Sequence, residues 1–167
     1  MVTESMCSFE VAKLLRQIGF DEPCHWYYDT NTEDKDQEYV LRFWSNGVKV
    51  RNSEMLDNEF GCCTHQMAIK YLREVKKYHI EIRFTDISWS KEMCFPRYYG
   101  VVYNLTNGRW TWESTLIQEC ITGFKDYEAA TDFTLLRFIQ EMIKEEEQNK
   151  NKHGQKTGTY RRGNRLK

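Results

Sequence analysis

Between Thr64 and Asn149 the hydrophobic period of the chain changes from helical to alternating and back again, and this order constrains the fold more than any motif does. Thr64 can accept a hydrogen bond from a free first-turn N–H, and Ala68, Ile69, Leu72 and Val75 then recur at the spacing of one helix face. After Tyr78 the period drops to two: Ile80, Ile82 and Phe84 alternate with Glu81, Arg83 and Thr85, as a half-buried strand requires. Tyr98 to Leu105 is apolar or aromatic on both sides, the pattern of a central strand. Asn107 and Gly108 suit a tight turn, from which Arg109 to Glu113 returns with Trp110 and Trp112 on one side. Asp126 is placed to cap a last helix, with Ala129, Phe133, Leu136 and Ile143 as one stripe and Leu135, Phe138 and Met142 as a second. The pattern predicts an α+β fold, an antiparallel sheet of three or more strands in helix, strand, strand, strand, helix order. Both helices are expected on one face, over Ile80, Ile82, Phe84, Trp110 and Trp112. Residues 115–124 fit a further strand or a loop equally well.

The first 61 residues read as an elaboration on the 64–149 core. Ser8 can cap a short helix with Val11, Leu14, Leu15 and Ile18 as its apolar face, and Gly19 stands where a left-handed residue would end it. Two aromatic runs follow, His25 to Tyr28 and Tyr39 to Trp44. Asn46 and Gly47 predict a turn that makes Tyr39 to Val50 a hairpin, and 52–61 has loop composition.

A chain of 167 residues can bury roughly two thirds of its unfolded surface as one domain, here residues 1–149. Residues 1–10 are acidic and polar where a signal peptide would need an apolar core, so the six cysteines are expected to be reduced thiols in the cytoplasm. No stretch approaches the roughly 20 apolar residues that span a bilayer. The net charge of −1 conceals a separation. Lys150, Lys152, Lys156, Arg161, Arg162, Arg165 and Lys167 make 150–167 a basic tail of +7, leaving 17 basic and 25 acidic residues, −8, in 1–149. With Tyr160 as its one Phe, Tyr or Trp, the tail is expected to be mobile in isolation. It is either a phosphate-binding arm, whose affinity would fall steeply with salt, or a solubilising segment.

Reaction chemistry is sparse. Cys24 and His25, with Cys62, Cys63 and His65, are the groups with ligand chemistry, but neither cluster has the clean two-to-four-residue spacing of zinc pairs. Buried thiols explain them, and no metal, cofactor or catalytic residue is assigned. Asp29, Glu33, Asp34 and Asp36 read as a solvated loop, and Glu145, Glu146 and Glu147 predict fraying at the end of the last helix, where the dipole disfavours negative charge. If helices cover one sheet face, the other presents Arg83, Tyr98 and Val102 to a partner protein, unless the N-terminal aromatic strands cover it and Tyr98 is core.

Gly19-Phe20-Asp21-Glu22-Pro23-Cys24 with Tyr27-Tyr28, Thr64 with Ala68, Tyr71-Leu72-Arg73-Glu74, and Tyr127-Glu128-Ala129-Ala130 resemble the motifs of a widespread group of small, uncharacterised proteins from Bacteroidetes genomes and their phages and prophages. The likeness runs in order from Phe9 to Ile143, with Cys63 and Tyr71 where members often have Pro and Trp. It implies a phage or mobile-element accessory protein in a bacterial cytoplasm and carries over no activity or site. The core order is also that of double-stranded-RNA-binding domains, but Lys125, Asp126, Tyr127 and Glu128 stand where those domains place a lysine cluster. The expected function is a non-enzymatic protein-binding module acting on a host or phage protein, with nucleic-acid binding through the basic tail as the alternative.

Overall fold

The computed structural model describes residues 4–85, 97–106, 109–113, 124 and 126–157, with backbone alone at 46, 85, 97, 109–113 and 153–157. Its element order is α1 (Phe9–Gln17), β1 (Trp26–Asp29), β2 (Val40–Phe43), β3 (Glu59–Cys62), α2 (His65–Glu74), β4 (Tyr78–Thr85), β5 (Arg97–Asn104), β6 (Arg109–Glu113) and α3 (Tyr127–Thr157). The class is α+β, with two three-stranded antiparallel sheets ordered β2-β1-β3 and β4-β5-β6. Among the described residues, no helix is long and apolar enough to cross a membrane.

All three helices start on the residues whose side chains can replace a missing backbone acceptor. Ser8 Oγ accepts from Val11 N–H, Thr64 Oγ1 from Met67 N–H, and Asp126 Oδ1 from Ala129 N–H at 2.7 Å. Gly19 follows α1 at φ 87°, in the left-handed region where a Cβ would be strained.

In the second sheet Ile80 pairs with Val102, Ile82 with Gly100 and Phe84 with Tyr98, so these residues share the face that α2 and α3 cover. Ile80 and Val102 are buried with Ala68, Tyr71 and Leu72 of α2 and Leu135, Phe138, Ile139 and Met142 of α3. Phe84 departs from the expectation: it lies past the helices' cover and is exposed. The side chains of Trp110 and Trp112, the turn at Asn107–Gly108 and residues 115–123 lie outside the described set.

The N-terminal part corrects the sequence reading at two points. Tyr39–Val50 is not a hairpin, because both of its arms bond to the segment around β1 instead. Trp44 N–H donates to His25 O at 3.0 Å, and Cys24 and Val50 exchange both backbone bonds at 2.9 and 3.0 Å. Asn46 and Gly47 sit in a 3₁₀ turn, Ser45–Gly47. Nor is 52–61 all loop: Glu59–Cys62 is the strand β3, paired along β1. The buried Asn52 reads as loop by composition but holds this strand, its amide accepting from Gly61 N–H at 2.8 Å and donating to Phe20 O at 2.8 Å.

Helix α1 is what joins this sheet to the rest. Phe9 and Ala12 pack with Tyr28 and Cys62, while Val11, Leu15 and Ile18 enter the cluster formed with α2 and α3. Arg16, at the end of α1, donates to the carbonyls of Leu56 (2.8 Å) and Glu59 and lies over the Phe60 ring.

Candidate functional site

Among the described residues, a group of possible metal ligands forms where the N-terminal segment meets the start of α2. Met6 and Thr64 form an antiparallel bridge, with Cys7 N–H donating to Cys63 O at 2.9 Å and His65 N–H to Ser5 O at 3.0 Å. Side chains alternate across extended backbone, so Cys7, Cys63 and His65 leave on the side opposite Met6 and Thr64. Helix α3 brings Asp132 to the same place, its Oδ1 accepting from Ser8 N–H at 2.8 Å and lying 3.2 Å from His65 Nε2. The thiols of Cys7 and Cys63 are 3.7 Å apart, and ligand atoms of Cys7, His65 and Asp132 all lie within 4.8 Å of one another.

Burial pushes the Asp132 carboxyl up, but hydrogen bonds from His65 and Ser8 outweigh it and hold the group below its ordinary value. Cys7 is held well above the ordinary thiol range by its hydrogen bond with Cys63 and by burial. Burial pushes Cys62 to about 11 and Cys24 to about 12, so both are neutral thiols near pH 7. Tyr28 OH closes the cluster by donating to Cys7 O at 2.7 Å.

Of the groups singled out in the sequence, Cys63 and His65 meet here. Cys24 stands apart with its thiol donating to Glu22 O at 3.4 Å, and the His25 ring stacks on Phe43. Cys7 and Asp132 were missed. They lie 56 residues before Cys63 and 67 after His65, and no local spacing could announce them.

The expected protein-contact trio does not share a surface. Val102 is fully buried beneath the helices. Tyr98, on the same face, packs against Phe84 and the Tyr127 ring. Arg83 pairs across from Tyr99 on the opposite face, where it binds Glu81 at 2.9 Å and the Tyr103 hydroxyl, and lowers the Glu81 carboxyl through that bond. The alternation of a strand, which splits residues 98 and 102 from residue 83 of the antiparallel neighbour, explains the correction.

The basic segment also changes character at its start. Helix α3 runs without a break through Glu145, Glu146 and Glu147 to Thr157, so the basic segment begins on the helix. Lys150 and Lys152 are exposed on its last turns, and Lys156 belongs to the same helix. Arg161, Arg162, Arg165 and Lys167 lie outside the described residues. The acidic loop divides too: Glu33, Asp34 and Asp36 are exposed, but Asp29 is buried at the end of β1, bound to Arg42 at 2.9 Å and Asn58 at 2.7 Å.

A surface that the sequence did not single out lies along β2, one of the two outer strands of its sheet. Trp26 pairs with Phe43 and Tyr28 with Leu41, so Trp26, Leu41 and Phe43 share one face, and they are 40, 44 and 48 % exposed. The Trp44–His25 bond marks that couple as hydrogen-bonded, and bonded couples alternate in an antiparallel pair. The backbone groups of Leu41 and Phe43 therefore point away from β1, towards the open edge. Exposed Glu33, Asp34, Asp36 and Glu38 precede this strand.

Comparison with protein-family models, curated proteins and solved structures found no match to this chain.

Proposed function

We propose that the chain is a non-enzymatic binding module that takes an extended segment of a partner protein onto the edge of β2. The observation that carries this reading is the row Trp26, Leu41 and Phe43 beside outward-facing backbone groups. Native sheets usually blunt such an edge with charge, proline or a covering element, whereas this one presents apolar side chains on one face. Strand addition draws affinity from main-chain hydrogen bonds and specificity from alternate side chains, and both components are present on β2. The acidic connection before β2 favours a partner segment with basic residues beside its apolar ones. The motif resemblance supports a phage or mobile-element accessory protein acting in a bacterial cytoplasm, with a host or phage protein as partner.

The test is capture from infected or lysogenic host cells with the wild-type chain and a Leu41→Lys, Phe43→Lys variant, followed by hydrogen exchange on the complex. The proposal expects the variant to lose the partner and the partner to slow exchange at the Leu41 and Phe43 amides. Equal capture by both proteins, or protection confined to another surface, refutes it.

The exposure of Lys150 and Lys152 favours a second reading, nucleic-acid binding led by the basic C-terminal segment. It expects affinity that drops sharply between low and moderate salt and is lost on truncation at Asn149. Binding unchanged by that truncation refutes it.

A further inference from the structure

We propose that Cys7, Cys63, His65 and Asp132 form a closed site for one divalent metal ion of the zinc type, a structural ion that ties the N-terminal segment to α2 and α3. Three of these residues already hold their ligand atoms within 4.8 Å of one another, and the fourth, Cys63, places its thiol 3.7 Å from that of Cys7. Two edges suit a tetrahedron, and Cys63, whose thiol neighbours Cys7 but stands outside the group of three, would close on the ion by a turn of its side chain. Two sulfurs at about 2.3 Å from a zinc ion stand about 3.8 Å apart, and a nitrogen and an oxygen at about 2.0–2.1 Å stand about 3.3 Å apart. The Cys7–Cys63 and His65–Asp132 separations are 3.7 and 3.2 Å.

The donor set of two sulfurs, one imidazole and one carboxylate is borderline-soft, which favours zinc over the hard cations that prefer all-oxygen shells. The surrounding bonds are those a metal site needs to orient its ligands. Ser8 N–H fixes the Asp132 carboxylate, and the ladder bonds of Cys7 and His65 fix the two backbones that carry the thiols and the imidazole. Cys7 and Cys63 bind as thiolates, their protons passing to solvent. The ion would then reinforce a segment whose backbone is bonded to His65 and Cys63 at Ser5 and Cys7, a role separate from the β2 edge.

The test uses the full chain expressed with added zinc and assayed for metal content, then loaded with Co²⁺ for absorption spectroscopy. One zinc per chain and a cobalt spectrum with thiolate-to-metal charge transfer are expected. Cys7→Ser and Cys63→Ser should each weaken binding by more than about 100-fold, beyond the 10–100-fold typical of outer-shell changes. Cys24→Ser, outside the ligand set, should leave it unchanged. Should the ligand variants misfold, X-ray absorption on the wild-type zinc protein decides: two sulfurs and two lighter donors support the site, and a shell without sulfur overturns it. Failure of the wild-type chain to take up either metal overturns it as well.

Discussion

Gly100 and Thr134 give the most direct test of how α3 lies on the second sheet. A Cβ built on Gly100 would stand 2.0 Å from Thr134 Oγ1, 2.4 Å from its Cγ2 and 2.7 Å from its Cβ. Thr134 is fully buried and its hydroxyl donates to Ala130 O, so it has no open space into which to swing. Gly100→Ala must therefore push α3 away from β5. Overpacking of this kind costs about 1–3 kcal/mol, offset by about 0.4–1 kcal/mol because alanine restricts the unfolded chain. The expected net loss is about 1–2 kcal/mol, or a fall in Tm of about 2–8 °C for a domain of this size. Urea unfolding followed by circular dichroism measures it directly. A double-mutant cycle adds the specificity: Thr134→Ala removes the two nearest atoms and should recover about 1 kcal/mol of the Gly100→Ala loss, and Thr134→Gly, which removes all three, should couple more strongly still. If Gly100→Ala is as stable as the wild type, or if its cost is independent of residue 134, then α3 does not cross β5 at this point and the packing described above is wrong.

Two further outcomes follow from the buried polar groups. Asn52→Ala strands the Gly61 N–H and the Phe20 carbonyl in the interior, each bonded to Asn52 at 2.8 Å, and should cost about 2 kcal/mol or more by urea titration. Because Phe20 and β3 lose the same tie, exchange at the Gly61 amide should quicken. The thiols set an alkaline limit: their folded pKa values, about 12 for Cys24 and about 11 for Cys62, lie above the unfolded value near 9.0. A raised pKa contributes stability that is complete below the unfolded value and is lost as pH climbs through the folded one. Stability should therefore fall between pH 9.0 and about 12, and Cys24→Ala should make that decline shallower by up to about 1.4 kcal/mol per pH unit. An unchanged alkaline slope in the variant would refute the burial of that thiol.

What could be read from the chain was whatever depends on neighbours in sequence. The caps at Ser8, Thr64 and Asp126, the left-handed Gly19 and the strand through Ile80, Ile82 and Phe84 each follow from a few consecutive residues, and each appears in the structure. In the resemblance motif from Gly19 to Cys24 the glycine acts locally, whereas Asp21 and Cys24 are held by residues 32 and 26 positions further on. Gly19 ends α1, Phe20 is core, Asp21 binds Ser53 N–H at 2.7 Å, and Cys24 bridges Val50. The N-terminal sheet was misread because a turn signal at Asn46–Gly47 shows that the backbone can reverse there, not which strand will take its hydrogen bonds. That choice was made by β1, the central strand between partners 14 and 33 residues further on.

The amino-acid order alone determined the class, the helix starts and the alternation of β4, since these arise from torsional preference and from apolar residues recurring at a fixed period. Only the tertiary structure decided which thiols meet, which apolar row stays on an open edge, and which face Arg83 occupies. Cys7, Cys63, His65 and Asp132 come together because α1 packs at once on β3 and on α3, and a contact between residues more than 50 positions apart leaves no periodic trace in the chain that makes it.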